Sequence, residues 1–300
     1  MLFSLHSHSG QFCKHAESTL EEVVQQAIAY KFDIYGLTEH VPRYRMQDLY
    51  PEEEGLTLEH LIETFDKFIR EAYRLKQLYA DRITLLVGLE TEYITDGDLV
   101  GLQKLLERYE TSIQYIVGSV HHVKTIPIDL NRSTFQRSVQ ECASGDGDRT
   151  ELFLHEYFDA QFTVIQRFRP EVIGHFDLCR LYAPDLEFSA FPEVWKKIER
   201  NVQFAIDYGA LFELNAAAFR KGWEHAYPGI DIVQYIKERG GRFTLSDDSH
   251  GAHMVGQNYR RLKEYLTKAA INELWYLKTH NEKSTGRSLV PILCKDTVLT

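Results

Sequence analysis

Leu2-Phe3-Ser4-Leu5-His6-Ser7-His8 is the stretch on which the fold turns. Its apolar residues read as a buried β-strand, and the strand runs into two histidines. Residues two apart in an extended chain face the same side, so both imidazoles can reach one point. Similar endings recur along the chain. An apolar strand at Asp33–Thr38 leads into Glu39-His40, and one at Ile83–Leu89 into Glu90-Thr91-Glu92. The strand Tyr115–Val120 leads into His121-His122, and Glu171–Gly174 into His175-Phe176-Asp177. Ala210–Leu214 is a sixth strand. Arg242–Leu245 is a seventh and leads into Ser246-Asp247-Asp248-Ser249-His250.

Helical patterns alternate with these strands. Ser18 and Glu21 suggest a capping box for a helix burying Leu20, Val23, Val24, Ala27 and Ile28. Leu58, Leu61, Ile62, Phe65, Phe68, Ile69 and Ala72 mark a long amphipathic helix. Further helices are expected at Leu99–Tyr109, Glu151–Phe168, Phe191–Tyr208, Ile230–Glu238 and Tyr259–Ala270, with an eighth short strand at Glu273–Leu277. Strand–helix alternation of this kind predicts an α/β fold with a mostly parallel sheet. No glycine-rich phosphate loop follows the first strand, which weighs against an open dinucleotide-binding sheet. A closed barrel carries its site at the C-terminal ends of several strands, where the polar residues fall, so a barrel is expected over residues 1–300. The polar stretch Thr125–Arg149, with Ser144-Gly145-Asp146-Gly147-Asp148 near its end, breaks the rhythm and is expected to form an excursion or lid.

The bulk composition, 300 residues with 44% hydrophobic, 26% charged and a net charge of −10, is that of a soluble globular protein. The negative charge argues against nucleic-acid or anionic-membrane partners, which call for a basic surface. With no signal peptide before the first strand and no apolar run of about 18 residues, a cytoplasmic protein is expected. Cys13, Cys142, Cys179 and Cys294 form no C-x-x-C pair and are too sparse for a disulfide scaffold, so free thiols are expected. Cys13 lies among histidines, which makes it a weaker candidate for a metal ligand.

Imidazole and carboxylate at one rim suit zinc, iron or manganese. A single histidine near a strand end is usually an ordinary polar residue. Convergence from most of the strands is the expected mark of a metal site. His60, His155 and His280 lie in helical or surface-like contexts and receive no role. His225 and His253 lie in loops and could approach the site. Alternation admits one of His121 and His122 inward, and the Asp247-Asp248 pair is equally open.

These motifs resemble the polymerase-and-histidinol-phosphatase (PHP) superfamily, in its histidinol-phosphatase branch. The resemblance rests on His6-x-His8, Cys13-x-His15-Ala16, Glu39-His40, Gly88-Leu89-Glu90, Gly118-Ser119-Val120-His121 and Gly174-His175-Phe176-Asp177. Asn215 with Arg220-Lys221-Gly222, and Asp248-x-His250, complete the set, which runs from His6 to Gly256. Glu39 stands where the family often has Asp. The resemblance implies a distorted TIM-like barrel of seven strand–helix units and a cluster of three divalent ions (zinc, manganese or iron). It implies a first ion on His6, His8, Glu90 and Asp248. Glu90 would bridge to a second ion on His121 and His175, and a third would sit on His15, His40 and His250. It also implies a phosphoric monoester hydrolase, with L-histidinol phosphate as substrate and a place in histidine biosynthesis.

Divalent ions make hydroxide available at neutral pH and neutralise charge on phosphoryl oxygens. Asp177, Asp247 and His122 are candidates for protonating the leaving group. Arg220 and Lys221 are candidates for clamping the phosphate, with Asn215 and Arg180 as further substrate-binding candidates. Glu92 and Glu213 are possible partners of the substrate imidazole and amine. Rival readings are a related phosphatase for a nucleotide or sugar phosphate, a nuclease-type editing module, a metal-dependent amidohydrolase, and a non-catalytic metal-binding barrel. The sequence leaves the oligomeric state open.

Overall fold

The computed structural model describes residues 1–142, 147–279 and 287–294. In chain order the first elements are β1 (Phe3–Ser4), α1 (Leu20–Ala29), β2 (Ile34–Leu37), α2 (Leu58–Leu78), β3 (Thr84–Glu90), α3 (Asp96–Arg108) and β4 (Tyr115–Gly118). There follow β5 (His122–Val123), β6 (Ile126–Pro127), α4 (Arg132–Glu141), α5 (Arg149–Phe168), β7 (Val172–Ile173), α6 (Pro192–Tyr208) and β8 (Leu211–Asn215). The last are α7 (Ala217–Arg220), α8 (Ile230–Glu238), β9 (Arg242–Ser246), α9 (Tyr259–Lys268), β10 (Glu273–Thr279) and β11 (Arg287–Leu293).

Seven strands form one parallel sheet in the order β1-β2-β3-β4-β7-β8-β9. Its two edges meet. Leu5 N donates to Leu245 O at 3.1 Å, Asp248 N to His6 O at 3.1 Å and His8 N to Ser249 O at 2.8 Å. The result is a distorted (β/α)7 barrel. Strands buried on both faces carry near-continuous apolar runs, as in Leu85-Leu86-Val87. Helix α2 presents Phe65, Phe68, Ile69, Ala72 and Leu75 to the sheet at helical spacing, each large side chain contributing about 1.5–3 kcal/mol on burial. The chain approaches closely at Gly36 on β2, where a Cβ would lie 2.9 Å from Leu5 Cα. The Tyr115 hydroxyl also reaches this spot, donating to Leu5 O at 2.8 Å. Three strands are thereby tied together directly beneath His6.

Two expected elements differ. The capping box of α1 is Thr19 with Glu22, not Ser18 with Glu21. Thr19 Oγ1 accepts from Glu22 N at 3.2 Å, and Glu22 Oε2 accepts from Thr19 N at 2.7 Å. Ser18 has φ 66°, and an N-cap needs an extended backbone. The strand at Glu273 is not an eighth barrel strand. Seven strands already close the barrel, so β10 pairs antiparallel with β11 instead. This hairpin covers the N-terminal end of the barrel, with Tyr276 packed on Phe3 and Arg242 stacked over Trp275.

The stretch after β4 is folded. It forms the β5–β6 hairpin and α4, which packs on α5 through Phe135 and Phe153. Ser144-Gly145-Asp146 and His280 lie outside the described residues. No helix among the described residues is long and apolar enough to cross a membrane.

Candidate metal centre

Glu90, at the end of β3, is the hub of a buried cluster at the C-terminal mouth of the barrel. Its Oε1 lies 3.2 Å from His6 Nε2, 3.0 Å from His175 Nε2 and 3.3 Å from His121 Nε2. Its Oε2 lies 3.3 Å from His8 Nε2 and 3.0 Å from His40 Nδ1. Asp248 adds a second carboxylate, with Oδ1 3.8 Å from His6 Nε2 and 3.6 Å from both His8 Nε2 and His250 Nδ1. His15 closes the outer side, its ring 5.2 Å from those of His40 and His250.

The donors fall into overlapping sets with ligand atoms within 4.8 Å of one another: His6, His8 and Asp248; His8, His40 and Glu90; Glu90, His121 and His175; and Cys13, His15, His40 and His250. Many of the nitrogens lack a hydrogen bond among the described residues despite burial, including His6 Nε2, both ring nitrogens of His8 and of His40, and Nδ1 of His121 and His175. Leaving so many buried polar atoms unsatisfied costs about 1–3 kcal/mol each. Cations satisfy the nitrogens that point into the cluster, such as His6 Nε2 and His8 Nε2, so the donor chemistry fits divalent metal ions. Burial opposes ionisation of Glu90, but His6, His121 and His40 hold it well below the usual carboxylate range. Burial opposes Asp248 as well, and His6, His250 and His8 hold it low. Metal ligation requires ionised carboxylates, and the shifts of both run in that direction.

A ring of outer partners orients the imidazoles. Glu213 Oε2 faces His6 Nδ1 at 3.0 Å. Glu39 lies 3.6 Å from His8 Nδ1 and accepts from the Ser9 backbone and hydroxyl. Glu92 lies 3.5 Å from His121 Nδ1. Glu92 and Glu213 are thus engaged with the imidazoles from behind the cluster.

The adjacent pairs separate. His121 points into the cluster, while His122 turns to Glu92 at 3.0 Å. Asp248 joins the histidines. Asp247 instead accepts from Ser4 Oγ, Tyr35 Oη and Gly256 N, and burial pushes it up to about 6.

Above the cluster opens a cavity of about 480 Å³, lined by His15, His40, Glu90, His121, His175, Asp248 and His250 at its base. Its walls include Tyr50, Glu52, Asp129, Arg220, Lys221 and Tyr227. Of the residues expected to act on substrate, Arg220 and Lys221 line this cavity; Asn215, Arg180, Asp177 and His122 do not. Asn215 is fully buried, donating to Glu213 and Asp248. Asp177 and Arg180 pair with each other at 2.7 Å, and Arg180 also pairs with Asp231 at 2.6 Å. Arg180 borders a separate groove of about 940 Å³ together with His225. Arg220 lines the wall, but both Nη atoms donate to the carbonyls of Asp247 and Asp248. His60, His155 and His253 stand apart, near Thr57, Glu151 and Glu17 respectively.

Tyr50, Glu52, Asp129 and Tyr227 went unnoticed in the sequence. They lie in loops or, for Glu52, in a single 3-10 turn at Pro51–Glu53, where no periodicity marks an inward face. The one available signal was position, since Asp129 belongs to the polar excursion after the fourth strand.

A PHP domain model matches residues 4–217, more than half of the chain. The chain belongs to the PHP family. The match runs from the end of β1 to the start of α7 and includes every cluster residue except Asp248 and His250. Among PHP relatives, the chain is 47% identical over 277 residues to "Probable histidinol-phosphatase" of Schizosaccharomyces pombe, covering 91% of this chain and 89% of that one. It is 31% identical over 324 residues to histidinol-phosphatase of Saccharomyces cerevisiae, covering 97% and 95%. Two solved structures share the fold. One, from Listeria monocytogenes, has a TM-score of 0.74 at 23% identity and covers 86% of this chain and 98% of its own. The other is histidinol phosphate phosphatase from Lactococcus lactis, complexed with zinc, L-histidinol and phosphate. Its TM-score is 0.62 at 21% identity, with 91% of this chain and 95% of that one covered.

Proposed function

We propose that this chain is a histidinol-phosphatase, hydrolysing L-histidinol phosphate to L-histidinol and phosphate in histidine biosynthesis. The observation that carries the reading is the convergence of overlapping donor sets on Glu90 at the floor of a cavity with both a cation and carboxylates on its walls. The fungal relatives named above carry the same function in their names. The Lactococcus complex pairs the fold with zinc, histidinol and phosphate.

Three divalent ions are assigned to the centre: one on His6, His8, Glu90 and Asp248, a second on Glu90, His121 and His175, and a third on the set containing His15, His40 and His250. Zinc, manganese and iron all suit such ligands. When bound, the ions supply hydroxide at neutral pH and neutralise phosphoryl charge. Lys221, exposed on the cavity wall, meets the phosphate as a mobile cation. The Tyr227 hydroxyl is buried without a partner among the described residues and offers a donor to a phosphate oxygen. Arg220 holds the Asp247–Asp248 turn in place.

For the other end of the substrate, Asp129 and Glu52 are the carboxylates on the cavity wall outside the metal cluster. A carboxylate there complements the ammonium and imidazole of histidinol and has no complement in a sugar phosphate. The deciding experiment measures phosphate release from histidinol phosphate beside sugar and nucleotide phosphates, with zinc or manganese present. The expected result is a kcat/KM orders of magnitude above the panel. Slow, undiscriminating release overturns the substrate assignment while leaving the metal centre.

A further inference from the structure

The third donor set holds a residue that the three histidines alone do not account for. Cys13 is 6% exposed, and its Sγ lies 3.4 Å from Nδ1 and 3.2 Å from Nε2 of His15. Single donor atoms of Cys13, His15, His40 and His250 all fall within 4.8 Å of one another. We propose that the Cys13 thiolate is the fourth ligand of the third ion, making it a zinc site of one cysteine and three histidines.

Three observations carry this. The first is spacing. Tetrahedral zinc with bonds of about 2.0–2.3 Å separates its donors by roughly 3.3–3.8 Å, and the four donor atoms, all within 4.8 Å of one another, reach that spacing by small side-chain rotations. The second is local architecture. Cys13 N donates to Ser9 O at 2.9 Å, Ala16 N to Cys13 O at 3.1 Å and Gly10 N to Glu17 O at 3.0 Å. This compact turn brings Cys13 and His15 together beside His40 and His250, which lie just past β2 and β9. The third is charge. The ions on Glu90 and Asp248 have carboxylate ligands, whereas His15, His40 and His250 are neutral donors. Cys13 supplies the anion in that set. Thiolate also favours zinc over the harder manganese. Binding exchanges the S–H bond for a sulfur–metal bond and releases the proton to buffer.

The inference rests on the metal-centre reading and is independent of the substrate. The test loads the full-length protein with cobalt(II) and records near-ultraviolet sulfur-to-cobalt charge transfer alongside metal content. The expected result is an intense band in the wild type that is lost in Cys13→Ser, with affinity at one site reduced about 10- to 100-fold. Cys142, Cys179 and Cys294 belong to none of the donor sets, so the band is assignable. Full cobalt loading without the band, or a band that survives the substitution, overturns the assignment to Cys13. Failure to load cobalt at all overturns the metal centre with it. Should Cys13→Ser misfold by circular dichroism, alkylation of wild-type Cys13 decides, read by peptide mass with and without zinc. Protection by zinc is expected, and equal labelling overturns the proposal.

Discussion

Glu213 on β8 stands 3.0 Å from His6 Nδ1, and this contact turns His6 Nε2 toward Glu90 and Asp248. The same carboxylate accepts from the His175 backbone and from Asn215 Nδ2. One residue behind the cluster thus aligns ligands from two strands. Replacing it by the isosteric amide, Glu213→Gln, leaves the packing and weakens the acceptor. Metal affinity is expected to fall about 10- to 100-fold, measured by competition with a chromophoric chelator. Unchanged affinity would show that His6 needs no such partner.

His175 reaches Glu90 from the end of β7. His175→Ala should lower kcat by at least about 100-fold, exceeding the effect of losing an outer partner, with a native far-ultraviolet spectrum and reduced bound metal. Because ligands that bind only the folded state stabilise it, added zinc should raise Tm less in this variant than in the wild type. Full activity in the variant rules out a cluster shared through Glu90.

Arg220 and Lys221 are neighbours with different expected signatures. Arg220 ties down the Asp247 and Asp248 carbonyls, and Asp248 has φ 46°. Arg220→Ala should therefore lower kcat and metal content together, and Lys at this position should not restore the paired hydrogen bonds. Lys221→Ala should raise KM by roughly 5- to 10-fold, consistent with loss of one exposed charge contact of about 1 kcal/mol. A KM effect confined to Arg220 would reverse these roles.

The Asp177–Arg180 pair is 0% and 4% exposed at its side chains. Removing Asp177 leaves the buried Arg180 with Asp231 as its remaining carboxylate and leaves Gly229 N without its acceptor, at about 1–3 kcal/mol. Asp177→Ala should lower Tm strongly while the folded fraction keeps its kcat. A large loss of kcat at unchanged Tm would instead make Asp177 a proton donor.

Asp129 separates the substrate classes. Asp129→Asn should reduce kcat/KM for histidinol phosphate by about 10-fold, the scale of one charge-assisted contact, and leave an aryl phosphate that lacks a cationic group unaffected. Equal losses on both substrates would remove Asp129 from recognition.

Much of the scaffold was legible because it depends on local periodicity. Apolar runs of strand length, helical stripes such as Phe65, Phe68, Ile69 and Ala72, and polar residues at successive strand ends are short-range patterns. The convergence of His6, His8, His40, Glu90, His121 and His175 on one rim follows from placing those strand ends in a parallel barrel. The cap at Ser18 is not legible in the same way, because a positive φ leaves no mark in the order of residues. The Glu273 segment reads as a further barrel strand because its composition does not name its partner.

The sequence by itself determined the parallel α/β scaffold and the donor types available at its mouth, since periodicity and residue chemistry are carried by each segment. Only the tertiary structure decided which of two neighbours turns inward. At Asp247-Asp248 the backbone passes into the left-handed region just past β9, where strand alternation no longer holds. The tertiary structure also engaged Arg220 with carbonyls, withdrew Asp177 into a pair with Arg180, and brought Asp129 and Tyr227 to the cavity wall. Each of these depends on contacts between segments far apart in the chain, and no local pattern encodes them.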